Sequence, residues 1–182
     1  MTKVAVVFAE GFEEIEALSP VDVFRRAGFD CSMLGLESAS VTGSHGIQVE
    51  MDGVFDGNFD AYDLVVLPGG MPGSTNLRDH EGLIAALQAR NKAGKYIAAI
   101  CAAPIVLNRA GLLEGRKFTC FPGVEEQIAS GEHQTDLVVV DGNIITSRGA
   151  GTALAFAYAL VDLLGGDGQQ LAHTMVYDRL FK

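Results

Sequence analysis

Residues 95–104 have the sequence KYIAAICAAP, in which a predicted strand meets a predicted helix. Tyr96–Ile100 is a short apolar run after a glycine, a pattern that predicts a buried strand. A helix is predicted to begin at Ala102, with Pro104 in its first turn, where a missing backbone N–H costs nothing. Cys101 is therefore predicted to lie where a strand turns sharply into a helix, between small residues, as a nucleophile elbow requires.

The thiol of Cys101 has two interpretations. At a helix N-terminus it faces unpaired N–H groups and the positive end of the helix dipole, and both favour the reactive thiolate. The alternative is a buried cysteine that packs as a small hydrophobic side chain. The elbow alone does not choose between them.

Apolar runs and helical patterns alternate along the rest of the chain. The predicted strands are 3–8, 29–35, 47–51, 63–67, 96–100, 118–121, 137–140 and 143–146, the last two forming a hairpin around Asp141-Gly142. The predicted helices are 13–27, with a kink or break at Pro20, then 80–93, 102–109, 123–129, 152–164 and 168–174. This alternation predicts an α/β fold in which helices cover both faces of a mainly parallel sheet.

Length and composition limit the classes of protein. The 182 residues are enough for one domain, 1–182, with a sizeable core; 48% are hydrophobic, which excludes a disordered chain. The net charge of −10 argues against general binding to nucleic acid or to an anionic membrane surface. The sequence predicts neither a signal peptide nor a spanning segment, and three cysteines without CxxC spacing indicate neither a disulfide framework nor a zinc site. We therefore expect a cytoplasmic protein.

Three strand ends carry distinctive residues, and ligands bind beyond the carboxyl ends of parallel strands. These ends are Glu10-Gly11, Pro68-Gly69-Gly70 and Cys101. Gly69 and Gly70 leave backbone N–H groups open to a ligand, and with the N–H of Ala102 they form a candidate oxyanion hole. The alternative is a turn that merely needs a positive φ.

The first helix begins with three carboxylates, Glu13, Glu14 and Glu16. If Glu16 lines the cleft, its pKa would be raised and it would serve as a general acid or base. The alternative is a solvated helix start, which the sequence alone favours. None of the four histidines adjoins Cys101, and no metal-ligand spacing is present.

Five stretches, taken together, resemble the ThiJ/PfpI superfamily, in the branch of the Parkinson's-disease-associated deglycase/glyoxalase protein and its bacterial relatives. They occur in the family's order over nearly the whole chain: 9–16 (AEGFEEIE), 20–28 (PVDVFRRAG), 65–70 (VVLPGG), 98–104 (AAICAAP) and 146–149 (TSRG). The resemblance implies a flavodoxin-like three-layer sandwich and a homodimer packed partly through the first helix.

The resemblance also implies a cofactor-free active site. Its nucleophile would be Cys101, at a strained backbone position and hydrogen-bonded to a protonated Glu16, with Gly70 and Ala102 supplying oxyanion-type backbone donors. The implied substrates are methylglyoxal, glyoxal or early glycation adducts. The implied alternative is a redox sensor or chaperone in which Cys101 is oxidised to sulfinate.

Three positions depart from the pattern of relatives. Ala102 stands where the hydrolase and protease branch has a histidine, which argues against peptidase or amidase action. Phe121 replaces a histidine that some dicarbonyl-active relatives place before a proline. His45 stands where the Parkinson's-disease-associated protein has an arginine near the pocket, so we expect His45 to be a pocket residue.

Overall fold

A computed structural model describes residues 1–180 of the chain, and these contain eleven strands. They are β1 (Lys3–Phe8), β2 (Asp30–Gly35), β3 (Ser40–Thr42), β4 (Gln48–Glu50), β5 (Gly53–Val54), β6 (Leu64–Leu67), β7 (Tyr96–Ile100), β8 (Lys117–Phe118), β9 (Glu132–His133), β10 (Val138–Asp141) and β11 (Ile144–Ser147). The α-helices of the same residues are α1 (Glu14–Arg26), α2 (Gly73–Asp79), α3 (Glu81–Lys92), α4 (Pro104–Arg109), α5 (Ala153–Leu163) and α6 (Gly168–Thr174). Short 3₁₀ helices span Val124–Gln127, Ala150–Thr152 and Tyr177–Arg179.

Seven strands form one sheet in the order β10-β11-β7-β6-β1-β2-β5. All neighbours in it are parallel except β10 and β11, which form the predicted hairpin with Val138 opposite Ser147. The five principal parallel strands, counted along the chain, have the order 2-1-3-4-5 of flavodoxin-like sheets, whose strand order reverses between the first and third strands. The α/β prediction is confirmed.

The sheet separates two hydrophobic clusters, because side chains along each buried strand alternate between its faces. On β1, Ala5 and Val7 belong to one cluster, and Val4 and Val6 belong to the other. The first cluster includes buried residues of α3 and α4, and the second includes those of α1 and α5. Helices on both faces make three layers, as predicted.

The prediction for the first helix was wrong about its apolar face, and of the predicted kink or break at Pro20 no break occurs. Its expected apolar face included Ile15, which is 54% exposed, whereas Glu14 and Glu16 are buried. The helix also runs through Pro20 without a break. Proline has no N–H to donate to the carbonyl of Glu16, but burial of neighbouring Val21 and Phe24 against the core holds the segment helical.

Other differences concern short elements. α2 was not predicted, because GSTNLRD lacks an apolar repeat and contains weak helix formers. The strand predicted at 118–121 is the two-residue β8, and the helix predicted at 123–129 is a single 3₁₀ turn. Within residues 1–180, no helix combines the length and apolar character that crossing a membrane requires.

Candidate active site

Cys101 lies directly after β7, and its backbone is in the left-handed region with φ +64°. The peptide groups on either side are anchored: the Cys101 N–H donates to the carbonyl of Ser147 (3.1 Å), and its carbonyl accepts from the N–H of Phe121 (2.9 Å). α4 begins at Pro104, two residues later than predicted, because the chain first makes a turn at 101–103. The part-exposed thiol is thus held in place on a strained turn.

Glu16 is 1% exposed, so the prediction of a solvated helix start was wrong for this residue. Its Oε2 accepts the N–H of Gly69 at 2.9 Å, and the carboxyl also hydrogen-bonds the Cys101 side chain and the N–H of Ala150. The backbone of Glu16 is fixed as well, since its N–H donates to the N-cap carboxylate of Glu13 (2.8 Å). The structure therefore brings Glu16 and Cys101 together.

Burial and the neighbouring charges set the protonation of this pair. Burial, followed by repulsion from Glu13, raises the pKa of Glu16 to about 7, although hydrogen bonds from Cys101 and two backbone N–H groups oppose the rise. Burial and the adjacent Glu16 carboxylate likewise raise the pKa of the Cys101 thiol. The expected depression of the thiol pKa by the helix terminus is therefore outweighed by burial and by the neighbouring carboxylate.

The predicted backbone donors have two different partners. The N–H groups of Gly70 and Ala102 hydrogen-bond the Cys101 sulfur, and both lower its pKa. The N–H of Gly69 instead donates to Glu16, so it is not available to a substrate oxyanion. A Cβ on Gly69 would overlap Glu16 Oε2 and lie 2.7 Å from the Cβ of Cys101. Glycine at this position is what allows the carboxyl and the thiol to meet.

His45 lies beside Glu14, and its hydrogen bonds join it to that residue and not to the thiol of Cys101. Its N–H donates to Glu14 Oε1 (2.7 Å), and its Nδ1 lies 2.8 Å from Glu14 Oε2. This hydrogen bond and the charge of Glu14 raise the pKa of His45. Burial works against ionisation of Glu14, but the hydrogen bonds from His45 lower its pKa overall. The hydrogen bonds between His45 and Glu14 therefore link the loop after β3 to the start of α1.

The sequence analysis did not predict that residues 147–150, far along the chain, contact Cys101 and Glu16. A Cβ on Gly149 would lie 3.4 Å from Cδ2 of the Phe121 ring and 3.9 Å from Glu16 Oε1. The available signal was the TSRG stretch at 146–149. The carbonyl of Ser147 accepts the N–H of Cys101, and Gly149 precedes Ala150, whose N–H hydrogen-bonds Glu16. A separate cavity of about 500 Å³, lined by Glu10, Asn76 and others, does not include these residues.

We expect Glu16→Gln to abolish a pH dependence of stability. The pKa of Glu16 is raised in the folded state, so its contribution is complete below about pH 4.5 and is lost as pH rises through about 7. One pKa unit corresponds to about 1.4 kcal/mol, so the wild type should lose about 3 kcal/mol of unfolding free energy across this range relative to Glu16→Gln. Urea denaturation at several pH values measures it.

The control for this experiment is Glu37→Gln, which changes an exposed glutamate. Its unfolding free energy should follow the wild type at every pH. Parallel curves for the wild type and Glu16→Gln would contradict a raised pKa at Glu16.

Nearly the whole chain is similar in sequence to known proteins. The model of the DJ-1/PfpI family matches residues 2–163. The chain is 39% identical to protein dj-1beta of Drosophila melanogaster, over 88% of each chain, and 34% identical to a protein named deglycase from Pyrococcus horikoshii, over 89% of this chain and 99% of that one. It spans 38% of the length of the Arabidopsis thaliana DJ-1 homolog B, to which it is 38% identical.

Solved structures agree with this match. The crystal structure of the Drosophila protein superposes with a TM-score of 0.92 at 36% identity, covering 96% of this chain and 97% of that one. Oxidised DJ-1 of Toxoplasma gondii superposes with a TM-score of 0.91 at 35% identity, covering 97% and 98%. The elbow cysteine, the buried glutamate and the glycine pair therefore belong to a chain that is a member of the DJ-1/PfpI family.

Proposed function

We propose that this protein is a cofactor-independent enzyme of the glyoxalase/deglycase type. It would act on methylglyoxal, glyoxal or early glycation adducts, with Cys101 as nucleophile and Glu16 as general acid and base. The observation that carries the proposal is the buried Glu16 carboxyl hydrogen-bonded to the part-exposed Cys101 sulfur. The name deglycase carried by archaeal relatives at about 34% identity supports an enzyme of this kind.

The proposed reaction needs one nucleophile and one proton carrier. The Cys101 thiolate, formed when the shared proton resides on Glu16, adds to the aldehyde carbon of methylglyoxal, and Glu16 protonates the resulting alkoxide to give a hemithioacetal. Glu16 then removes the proton from that carbon and returns it to the neighbouring carbon, which leaves a thioester of Cys101. Water hydrolyses the thioester, releasing lactate and restoring the thiol.

The donors around the sulfur fit this chemistry. The N–H groups of Gly70 and Ala102 point at the position where negative charge resides before addition, which stabilises the thiolate against the effect of burial. The raised pKa of Glu16, at about 7, lets the carboxyl both give and take a proton near neutral pH. We assign anion stabilisation to these two donors and positioning of the carboxyl to Gly69.

Four further features belong to the proposal. Residues 1–182 act as one domain, the protein is cytoplasmic, and it binds neither membranes nor nucleic acid in general. It functions as a homodimer packed partly through α1. The exposed apolar side chain of Ile15 at the start of that helix supports such a contact. Sedimentation at several protein concentrations, with Ile15→Glu as the disrupting variant, tests the dimer.

The test of the enzyme is production of D-lactate from methylglyoxal without glutathione. We expect turnover in the wild type and a loss of about 10² to 10⁴-fold in kcat for Glu16→Gln, because the amide cannot exchange a proton with the substrate. The matched control is Glu37→Gln, which should keep full activity. Absence of lactate from the wild type, or full turnover by Glu16→Gln, would refute the proposal.

A redox sensor or chaperone remains the second candidate. A sulfur that accepts two backbone N–H groups and lies beside a protonated carboxyl would stabilise a sulfinate in the same way. A solved structure of the Toxoplasma gondii relative is described as oxidised. If the wild type makes no lactate but peroxide adds two oxygen atoms to Cys101, seen by mass spectrometry, and this addition is lost in Glu16→Gln, the sensor is favoured.

A further inference from the structure

A second group of reactive side chains lies next to the Cys101 site and has no role in the proposed reaction. Cys120 follows β8, Glu125 lies in the 3₁₀ helix Val124–Gln127, and His133 ends β9. One ligand atom from each of these three residues lies within 4.8 Å of the others. The spacing Cys-x4-Glu-x7-His matches no familiar metal motif, so sequence patterns do not reveal this group.

The hydrogen bonding inside the group is incomplete. Cys120 is fully buried, and its Sγ lies 3.8 Å from Glu125 Oε2, which is a long contact. The Nε2 atom of His133 is buried without a hydrogen-bond partner. A buried imidazole nitrogen that lacks a partner is unfavourable. The nearby Cys120 thiol does not supply the missing interaction, because its hydrogen bonds are with the carboxylate and the backbone of Glu125. Of the three residues, His133 is the one with a buried side-chain atom that no hydrogen bond satisfies.

Thiolate, imidazole and carboxylate are the three ligand types that zinc takes in proteins. Three ligands from a protein leave the fourth tetrahedral position open. Two ligand atoms at zinc bond lengths of about 2.0–2.3 Å in a tetrahedral site lie about 3.3–3.8 Å from each other. The ligand atoms here are at most 4.8 Å apart, so holding the ion needs a contraction of about 1–1.5 Å at most. Glu125 is already oriented, because its Oε2 accepts the N–H of Gly123 at 2.7 Å, which is the outer-shell support that metal sites use.

We propose that Cys120, Glu125 and His133 bind one zinc ion. Binding exchanges the thiol proton of Cys120 for the metal and releases that proton to solvent. The part-exposed side of the group, at Glu125 and His133, gives the ion its entry and leaves the fourth position to water. This site is separate from Cys101 and does not depend on the proposed enzyme activity.

The zinc site is coupled to the Cys101 site through the backbone. Phe121, the residue after Cys120, donates its N–H to the carbonyl of Cys101, and its ring lies against Gly149. The carbonyl of Cys120 also accepts from Arg148 Nε at 3.4 Å. An ion on Cys120 therefore fixes the segment that forms one wall beside the nucleophile.

The test is metal binding in the Cys101→Ala background, which removes the other thiol of this region. We expect one Co²⁺ per chain with a sulfur-to-cobalt charge-transfer band in the near ultraviolet, displaced by Zn²⁺. Adding Cys120→Ser should abolish the band and weaken zinc binding, measured against a chromophoric chelator, by more than about 100-fold, since loss of a supporting group alone costs 10–100-fold. Cys31→Ser in the same background should change neither measurement.

A folding control and a second variant complete the test of the zinc site. Because Cys120 is buried, the circular dichroism spectrum of Cys120→Ser must match that of its parent for the result to count. If Cys120→Ser does not fold, Glu125→Ala, which changes a part-exposed residue, replaces it. Glu125→Ala should weaken zinc binding at least about tenfold. Absence of stoichiometric binding in Cys101→Ala, or unchanged binding after Cys120→Ser or Glu125→Ala, overturns the site. These readouts do not involve lactate, so the proposed function can fail independently.

Discussion

Replacing Cys101 by serine is expected to lower kcat for lactate formation from methylglyoxal by at least about a thousandfold. The substitution keeps the Cβ and one polar atom at the same place, so the left-handed backbone at φ +64° carries the same strain. What changes is the nucleophile: a serine hydroxyl does not ionise near neutral pH, and Glu16 is too weak a base to activate it. Steady-state kinetics with a lactate-specific detection measures the effect.

The matched controls for this prediction are the other two thiols. Cys31 lies in the core cluster that includes α1 and α5, and burial raises its pKa to about 12. Cys120 is buried beside Glu125, and burial, with that carboxylate, raises its pKa to about 12 as well. Cys31→Ser, and Cys120→Ser assayed without added metal in the presence of a chelator, should each retain kcat within a few-fold if folded. Equal loss of activity in all three variants would show a general loss of fold and not a nucleophile at Cys101.

Gly70→Ala is expected to destabilise the protein severely, by about 3–5 kcal/mol of unfolding free energy. Gly70 has φ +90°, a conformation that an L-residue adopts only with strain. A Cβ there would also lie 2.6 Å from both the carbonyl oxygen of Gly11 and the carbonyl carbon of Phe12. Those atoms are backbone, so they cannot move aside without shifting the start of α1.

Gly28→Ala is the control that separates strain from overlap. Gly28 also has a positive φ, of +76°, but a Cβ there would meet nothing within 4 Å. Gly28→Ala should lower the unfolding free energy by only about 1–2 kcal/mol, which is the cost of the left-handed backbone conformation alone. Urea denaturation of both variants measures the difference. If both lose the same amount, close packing at Gly70 contributes nothing to stability.

Much of the fold was predictable because its signals are local. Lys3–Phe8 and Tyr96–Ile100 are continuous apolar runs, and such runs need two covered faces. The hairpin around Gly142 and the strand-to-helix turn at Cys101 were also predictable from adjacent residues. α2 was not readable, because its seven residues are held by their surroundings and carry no periodic apolar pattern.

The burial of Glu16 is the clearest case that sequence patterns alone could not resolve. A glutamate in the first turn of a helix is usually solvated, and the residues that bury this one lie far away in the chain, after β6 and β11. The family resemblance pointed to Glu16, but the hydrogen bonds of Gly69 with the Glu16 carboxyl and of His45 with Glu14 are visible only in the three-dimensional structure. Long-range hydrogen bonds of this kind leave no periodic trace in a sequence.

The placement of the site on three adjacent strands has a consequence for how the protein can diversify. Glu16, Gly70 and Cys101 follow β1, β6 and β7, whose mutual registers are fixed by sheet hydrogen bonds. The segments beside them, 43–47 and 119–131, are connections with little regular structure. In the proposed enzyme, the strands therefore fix the positions of the reacting groups. Substrate preference can change through insertions and substitutions in the two connections at little cost to folding.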